Sequence, residues 1–372
     1  MSPVKRLESA VRNVVLALFA LVWRRGDSAK IPVDGSKLKK ILILRPDKLG
    51  DMVITFPLID ALRRHYPHLK IYLLASERNY PLVKADPRFE KVYIYRKRLF
   101  RDIRVVQELR REACDLVIDA VRNDSATTLF LAQLAVKKGT RIGLGKVEHA
   151  RFYDYNHPEN PLQQEHNIDF TLKLLKSFQS DEEQAERYAS PFIDNTSRSR
   201  AEKLLGQVAG SNDKFWLIGY NASGGRPARR LTYESSLTLL QSLISEHSDL
   251  HILLLAAPND YQICQRLSAQ LHQRVYLPPP GLNIVEVSAL ISRLSLLLSP
   301  DTSLIHIARS FRVPVIGLYT ASARNYEHWH PYGQRDGVVL SRNEYDIHDI
   351  SLPEILEMFR RLRLSLLRGA SL

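Results

Sequence analysis

Cysteine is scarce in this chain: among 372 residues only Cys114 and Cys264 occur, far apart and each within an apolar run. Neither has a C-x-x-C partner, so a disulfide framework and a thiolate metal site are excluded, and two buried thiols in a reducing cytosol are expected. No apolar segment reaches the roughly 18 residues that a membrane-spanning helix needs. Two nucleotide-binding signatures are missing as well. No G-x-G-x-x-G follows the first strand-like run and no G-x-x-x-x-G-K-[ST] occurs, so neither a dinucleotide fingerprint nor a P-loop is present. No Asp/His grouping has metal-site spacing, and no metal is expected.

Positive charge is abundant. Lys and Arg number 53 against 40 Asp and Glu, a formal net charge of +13. That excess favours an anionic partner: a nucleotide, a nucleic acid or an acidic membrane surface. Nucleic acid ranks last, because neither a recognition motif nor aromatic residues clustered among the basic ones accompany the charge. The length allows two domains, and 45% hydrophobic content can fill two cores.

The first 25 residues stand apart. Val4-Lys5-Arg6-Leu7 leads into the apolar run Val14–Trp23, which Arg24-Arg25 closes. The run is too short to cross a bilayer, and no small-residue cleavage site of a signal peptide follows it. It reads either as a helix in a membrane interface with its cations toward anionic headgroups, or as a helix packed on the protein's own surface. Gly26–Lys37 is a linker. From Lys39 onward, β-rich runs such as Lys39–Arg45 and Lys70–Leu74 alternate with helical periodicity, as in the helix expected over Met52–Tyr66. This is the pattern of a doubly wound α/β layer. Polar Ser180–Arg187 begins a crossing, and the same alternation restarts at Phe215–Tyr220. The expected division is 1–37, a first α/β domain over 38–185, a second over 186–345, and a terminal segment over 346–372. That last segment is an amphipathic helix with Ile355, Leu356, Phe359, Leu362 and Leu364, basic at Arg360, Arg361, Arg363 and Arg368. It is expected to pack back across the first domain or to touch a membrane.

Ligands on such sheets bind beyond the carboxyl ends of the strands. Three polar clusters fall there. In Lys48-Leu49-Gly50-Asp51, Gly50 permits close backbone approach, and Asp51 is a helix cap or a reactive carboxylate. Arg122-Asn123-Asp124-Ser125 follows a later strand of the same domain. In the second domain, Asn221–Arg230 combines small residues and two glycines with Arg226, Arg229 and Arg230, a composition that suits a pyrophosphate. The third cluster lies in Leu294–Tyr319, a strand, short helix and strand. Asp301-Thr302-Ser303 at the helix start and His306 one turn on are either ordinary caps or an anion site.

Taken together, the motifs resemble the heptosyltransferase family, glycosyltransferase family 9. The resemblance runs from about Lys39 to Gly333. It rests on Leu49-Gly50-Asp51 with Pro57 and Leu62, Asp115–Asp119 through Arg141-Ile142-Gly143, Asp301–Ala308 through Pro314, and Trp329-His330-Pro331-Tyr332-Gly333. It implies a GT-B fold, two Rossmann-like domains facing across a cleft, with the nucleotide-sugar on the second domain and the acceptor on the first. It also implies inverting transfer without a metal or other cofactor. Asp51 would be the general base that takes a proton from the acceptor hydroxyl. Ser223, Arg229, Thr302, Ser303 and His306 would meet the leaving diphosphate, with Asp301 at the same helix start. Asp260 stands where the family has an acid for the nucleotide ribose, and Lys48, Gly50, Arg122 and Asn123 fall on the acceptor side. The family lysine of K-R-W-P is Arg229 or Arg226. Leu231 replaces the tryptophan, Ser303 a glycine, and Tyr319-Thr320 stands where F-G is common. The implied substrates are an ADP-linked sugar, most simply ADP-heptose, and a lipid-linked envelope saccharide. The implied location is the cytoplasmic face of an anionic inner membrane.

Overall fold

The computed structural model describes residues 32–136, 138–160, 164–178, 183–208, 215–271, 274–334 and 336–369. The basic-apolar segment 1–25, most of the linker after it and residues 180–182 of the expected crossing lie outside the described residues.

The first domain runs β1 (Lys40–Arg45), α1 (Leu49–Val53), α2 (Phe56–His65), β2 (Lys70–Ser76), α3 (Tyr80–Val83), β3 (Lys91–Tyr95), α4 (Leu99–Glu112), β4 (Leu116–Asp119), α5 (Ala126–Ala135), β5 (Thr140–Leu144) and β6 (Tyr155–His157). Its strands pair in the order β3-β2-β1-β4-β5-β6, all parallel. Helix α6 (Asn167–Leu172) follows, and α7 (Asn195–Gly206) leads into the second domain. There the chain continues as β7 (Trp216–Asn221), α8 (Tyr233–Glu246), β8 (Leu250–Leu255), α9 (Tyr261–Leu271), β9 (Val275–Tyr276), α10 (Ile284–Ile291), β10 (Leu296–Pro300), α11 (Ser303–Ser310), β11 (Val315–Tyr319), α12 (Ala323–Trp329), β12 (Val338–Leu340) and α13 (Leu352–Leu367). This sheet is also wholly parallel, in the order β12-β11-β10-β7-β8-β9. Ile41–Leu44 of β1 and Leu296–Leu298 of β10 are fully buried, as helices on both sheet faces require. The fold is therefore α/β with two Rossmann-like layers, the GT-B arrangement. Among the described residues no helix is long and apolar enough to cross a membrane.

Two expectations are corrected. The helix expected over Met52–Tyr66 is two helices, α1 and α2. Pro57 has no N–H to offer the Val53 carbonyl, and Thr55 turns its Oγ1 back to donate to the Asp51 carbonyl at 2.8 Å. The break leaves α1 as a short piece free to point its start at the second domain, where it packs on α11. The terminal helix does not pack back across the first domain. Ile355, Phe359 and Leu362 of α13 are buried in the second domain's core, against α8, β11 and β12. Its arginines follow them: Arg360 pairs with Glu246 at 2.9 Å and Arg363 with Asp249 at 2.6 Å.

Candidate active site

At the carboxyl edge of the first sheet, β1 ends in Arg45. Pro46-Asp47-Lys48 then enters α1, and Lys48, the N-cap, makes no side-chain cap. Asp51 sits inside the first turn, so it is not used as the cap. Arg45 is 2% exposed and organises this turn. Its Nε donates to the Asp51 carbonyl at 2.9 Å, and its Nη1 donates to the Ala120 carbonyl at the end of β4. Its guanidinium also lies 3.6 Å from the Asp51 carboxylate and 3.4 Å from that of Asp47. One buried cation thus fixes the turn that carries Asp51 to the neighbouring strand and faces two carboxylates. Asp47 Oδ1 is buried without a hydrogen-bond partner. Burial pushes the Asp47 carboxyl up to about 7 against the pull of Arg45, and the charges of Asp51 and Asp119 add to the rise.

The second domain meets this turn at Gly50. A Cβ there would stand 3.2 Å from His306 Cδ2 and 3.8 Å from Ser303 Cα, so α1 approaches α11 closely enough that even a methyl group would press on the His306 ring. His306 is buried, with its ring centroid 5.3 Å from that of Trp329. Burial pushes its imidazole down to about 4 although the charge of Asp51 pulls the other way. At neutral pH it faces Asp51 as an uncharged ring that can donate one hydrogen bond.

The start of α11 receives no side-chain cap. The Thr302 hydroxyl is used elsewhere: its Oγ1 accepts from Asn221 Nδ2 at 3.1 Å and lies 3.2 Å from Ser299 Oγ. The first-turn N–H groups are therefore left for an external acceptor. Beside them Asp301 accepts from Asn325 Nδ2 at 2.9 Å and lies 3.4 Å from Arg229. Burial raises the Asp301 carboxyl, while Asn325, Arg229 and Lys48 pull it down. Lys48, on the first domain, thus acts across the gap between the two turns.

The loop after β7 is stitched in place by its small residues. Ser223 N donates to Asn221 Oδ1 at 3.0 Å, and Ser223 Oγ accepts from Ala257 N at 2.8 Å. A Cβ on Gly224 would overlap the Arg229 carbonyl, so only glycine closes this loop. Arg229 reaches Asp301, whereas the Arg226 side chain is exposed and makes no ion pair among the described residues.

Other expected site residues are already engaged. The Asp260 carboxylate accepts from Arg230. Arg122 donates to Glu159 at 2.7 Å and to Asn167 at 2.5 Å, and lies 3.2 Å from His328 Nδ1 of the second domain. Asn123 has φ of 142°, and its carbonyl accepts from Lys146 Nζ at 2.8 Å. Lys146 is itself buried against Asp119 at 2.9 Å.

The sequence alone assigns no individual role to Arg45, Asp47, Asn221 or Asn325. Arg45 did carry a signal, a cation closing an otherwise apolar buried strand. Asn325 carried none, because it reaches Asp301 from a helix further along the chain. Among the described residues no three His, Cys, Asp or Glu side chains gather in a way that could hold a metal ion. The site thus sets a carboxylate on one domain against a cation and uncapped N–H groups on the other, with a neutral histidine between them. That arrangement can take a proton from a hydroxyl and receive a departing anion.

The family model described as glycosyltransferase family 9 (heptosyltransferase) matches residues 103–358. The chain belongs to glycosyltransferase family 9. It is a glycosyltransferase, and its second domain lies almost wholly within the matched stretch, whereas Asp51 precedes it. A putative glycosyltransferase of Haemophilus influenzae is 23% identical over 310 residues, 80% of this chain and 88% of that protein. Among solved structures, a family 9 glycosyl transferase from Veillonella parvula superposes with a TM-score of 0.75 at 19% identity, covering 90% of this chain and 99% of the other. The Escherichia coli ADP-heptose LPS heptosyltransferase II superposes at 0.68 and 17%, covering 88% and 99%. At these identities the structures speak for the shared fold.

Proposed function

We propose that this enzyme transfers a sugar, most simply heptose from ADP-heptose, onto a lipid-linked envelope saccharide, with inversion and without a metal. The observation that carries the reading is the placement of Asp51 across the Gly50–His306 contact from the uncapped start of α11 and from Arg229. Asp51 takes the proton of the acceptor hydroxyl as that oxygen bonds to the anomeric carbon. The bond from that carbon to the diphosphate breaks, and the diphosphate leaves with the electron pair. Attack from the face opposite the leaving group inverts the centre. The first-turn N–H groups of α11, Arg229 and the His306 ring receive the departing charge, the task a preorganised cation and dipole perform best in a water-poor site. Similarity to an ADP-heptose LPS heptosyltransferase supports the donor and the class of acceptor. An acceptor anchored by lipid at the cytoplasmic face of an anionic membrane also suits the net charge of +13.

A thermal-shift panel of ADP-, GDP- and UDP-sugars, followed by turnover with the stabilising donor, tests this reading. ADP-heptose is expected to stabilise the enzyme most. Preferential stabilisation by a GDP- or UDP-sugar would assign the enzyme to a relative with another donor, and the engagement of Asp260 by Arg230 at the expected ribose position gives that reading its footing. Donor binding without turnover on any acceptor would reduce the protein to a binding module.

A further inference from the structure

Two helices of this enzyme are basic and amphipathic, and they use their charge differently. On α13 the cations are spent within the protein: Arg360 on Glu246, Arg361 on Asp336 and Arg363 on Asp249, at 2.6–3.1 Å. Its apolar face is buried at Ile355, Phe359 and Leu362, while Leu364 and Leu367 near its end are exposed. The turn before α4 and the first turns of that helix hold Arg96, Lys97, Arg98, Arg101 and Arg104 within nine residues. Among the described residues Arg96 alone of these five makes an ion pair, with Glu77 at 3.4 Å. Between the cations Phe100 is 82% exposed and Ile103 45% exposed. Asp102, the one acid in the stretch, turns its carboxylate inward to accept from the backbone N–H of Arg96 at 2.9 Å and of Arg98 at 2.6 Å. The patch is therefore built: its acid shapes the turn while the basic and apolar side chains remain outside.

Its place in the fold matters as much. It follows the carboxyl end of β3, the same sheet edge that carries Asp51, and β3 lies two strands from β1, roughly 10 Å away. On the other side of β1, also two strands away, the loop after β5 exposes Val147 at 74%. Exposed apolar side chains thus flank the acceptor side of the site on both sides.

We propose that the Arg96–Arg104 surface docks this enzyme on an anionic bilayer, its cations meeting lipid phosphates and Phe100 and Ile103 entering the headgroup layer. A soluble anionic saccharide would satisfy the arginines and leave the phenylalanine ring in water; a bilayer satisfies both. Docked this way, the acceptor edge of the first domain opens at the membrane surface, and a sugar attached to lipid can reach Asp51 with its lipid still embedded. What docking serves rests on the proposed acceptor; the docking itself needs no turnover, so the two readings fail separately.

The test is vesicle co-sedimentation of the full-length enzyme, with vesicles of phosphatidylcholine alone or mixed with an equal part of phosphatidylglycerol. Binding is expected on the phosphatidylglycerol vesicles only, and high salt should release it. Arg101→Gln and Arg104→Gln should each weaken partition about five-fold, which is about 1 kcal/mol per cation. Phe100→Ser should weaken it on the order of ten-fold, and Arg360→Gln with Arg361→Gln on α13 should leave it unchanged. Unaltered partition of the Phe100→Ser, Arg101→Gln, Arg104→Gln triple variant overturns the proposal. Because residues 1–25 are a second basic-apolar stretch, insertion is also read at the patch itself. In a Phe100→Trp variant the added fluorescence should shift to the blue and be quenched by brominated phosphatidylglycerol. Emission that stays water-like on saturating vesicles overturns the proposal too.

Discussion

The turn after β1 and the turn after β10 share one construction, and the proposed transfer puts them to opposite uses. Each closes a buried parallel strand, passes through a Pro-Asp pair (Pro46-Asp47 and Pro300-Asp301) and enters a helix without a side-chain cap. They differ in the cation. In the first turn it is Arg45, which belongs to the strand itself, is 2% exposed and spends its strongest hydrogen bonds on backbone carbonyls. In the second it is Arg229, brought from another loop, with its side chain 34% exposed and a 3.4 Å contact to Asp301. In the proposed transfer the carboxylate that takes the proton has to be held still, which an internal cation does. The donors that meet the leaving group have to be unspent, which suits a cation left partly in water.

Exchanging the cations for neutral side chains should separate the two uses. Arg45→Met leaves the Asp47 and Asp51 carboxylates facing a buried space without their counter-charge, and should cost about 3–5 kcal/mol of stability. Urea unfolding checks this; a loss under about 1 kcal/mol would mean that Arg45 does not organise the turn. Arg229→Met should cost much less stability, because Arg229 is itself partly exposed and Asp301 keeps the hydrogen bond from Asn325. It should instead lower turnover on the order of a hundred-fold, as removal of one charge-stabilising donor does. Asp51→Asn keeps the shape of the turn and removes the base, so turnover should fall about a thousand-fold with donor binding intact. Normal transfer by Asp51→Asn would move the proton chemistry elsewhere.

A smaller effect distinguishes the two turns by pH. The Asp47 carboxyl, pushed up to about 7, holds in the folded state a proton that the unfolded chain has released, between its ordinary value of 3.8 and about 7. Stability therefore falls as pH rises through that window, and Asp47→Asn should remove the slope. His306, pushed down to about 4 from 6.5, does the reverse: the unfolded chain takes up a proton that the folded one refuses. Stability falls as pH drops from about 6.5 to 4, and His306→Gln should flatten that limb. These shifts correspond to at most about 4 kcal/mol for Asp47 and about 3 kcal/mol for His306, measurable as unfolding free energy against pH. Parallel slopes in the two variants would contradict the opposed environments of the two turns.

The double-layer fold was legible because buried parallel strands write themselves as unbroken apolar runs, of which Ile41–Leu44 and Leu296–Leu298 are examples. The short edge strands β6 and β12 were not, since three residues paired on one side carry no such run. Motif order set Asp51, Ser223, Arg229, Asp301 and His306 after strands, and they stand in the loops and helices that follow β1, β7 and β10. What it could not carry was partner choice. The engagement of Asp260 by Arg230, of Arg122 by Glu159 and Asn167, and of the α13 arginines by second-domain acids depends on tertiary geometry between residues distant in sequence. The same geometry pairs Arg360, Arg361 and Arg363 of the C-terminal helix with acids and, among the described residues, pairs only Arg96 of the Arg96–Arg104 run, although in the sequence both are arginine-rich stretches.

The smallest expected effect tests the contact through which the two turns meet. Gly50→Ala sets a methyl group 3.2 Å from His306 Cδ2, a separation tight enough that a few tenths of an ångström must be given up. His306 is buried against Trp329 and has little room to retreat, so the yielding falls on the spacing between α1 and α11. Alanine within α1 recovers up to about 1 kcal/mol of helix propensity, which offsets the contact cost, and the unfolding midpoint should barely move. Turnover has no such compensation. Asp51 is carried on the helix that shifts while Arg229 and the α11 start remain behind, and even a displacement well below 1 Å between base and leaving-group site should cost roughly three- to ten-fold in kcat. Unchanged kcat in Gly50→Ala would show that the two turns act without fixed spacing, whereas a fall in kcat with unchanged stability would show that the spacing between the domains is itself part of the site.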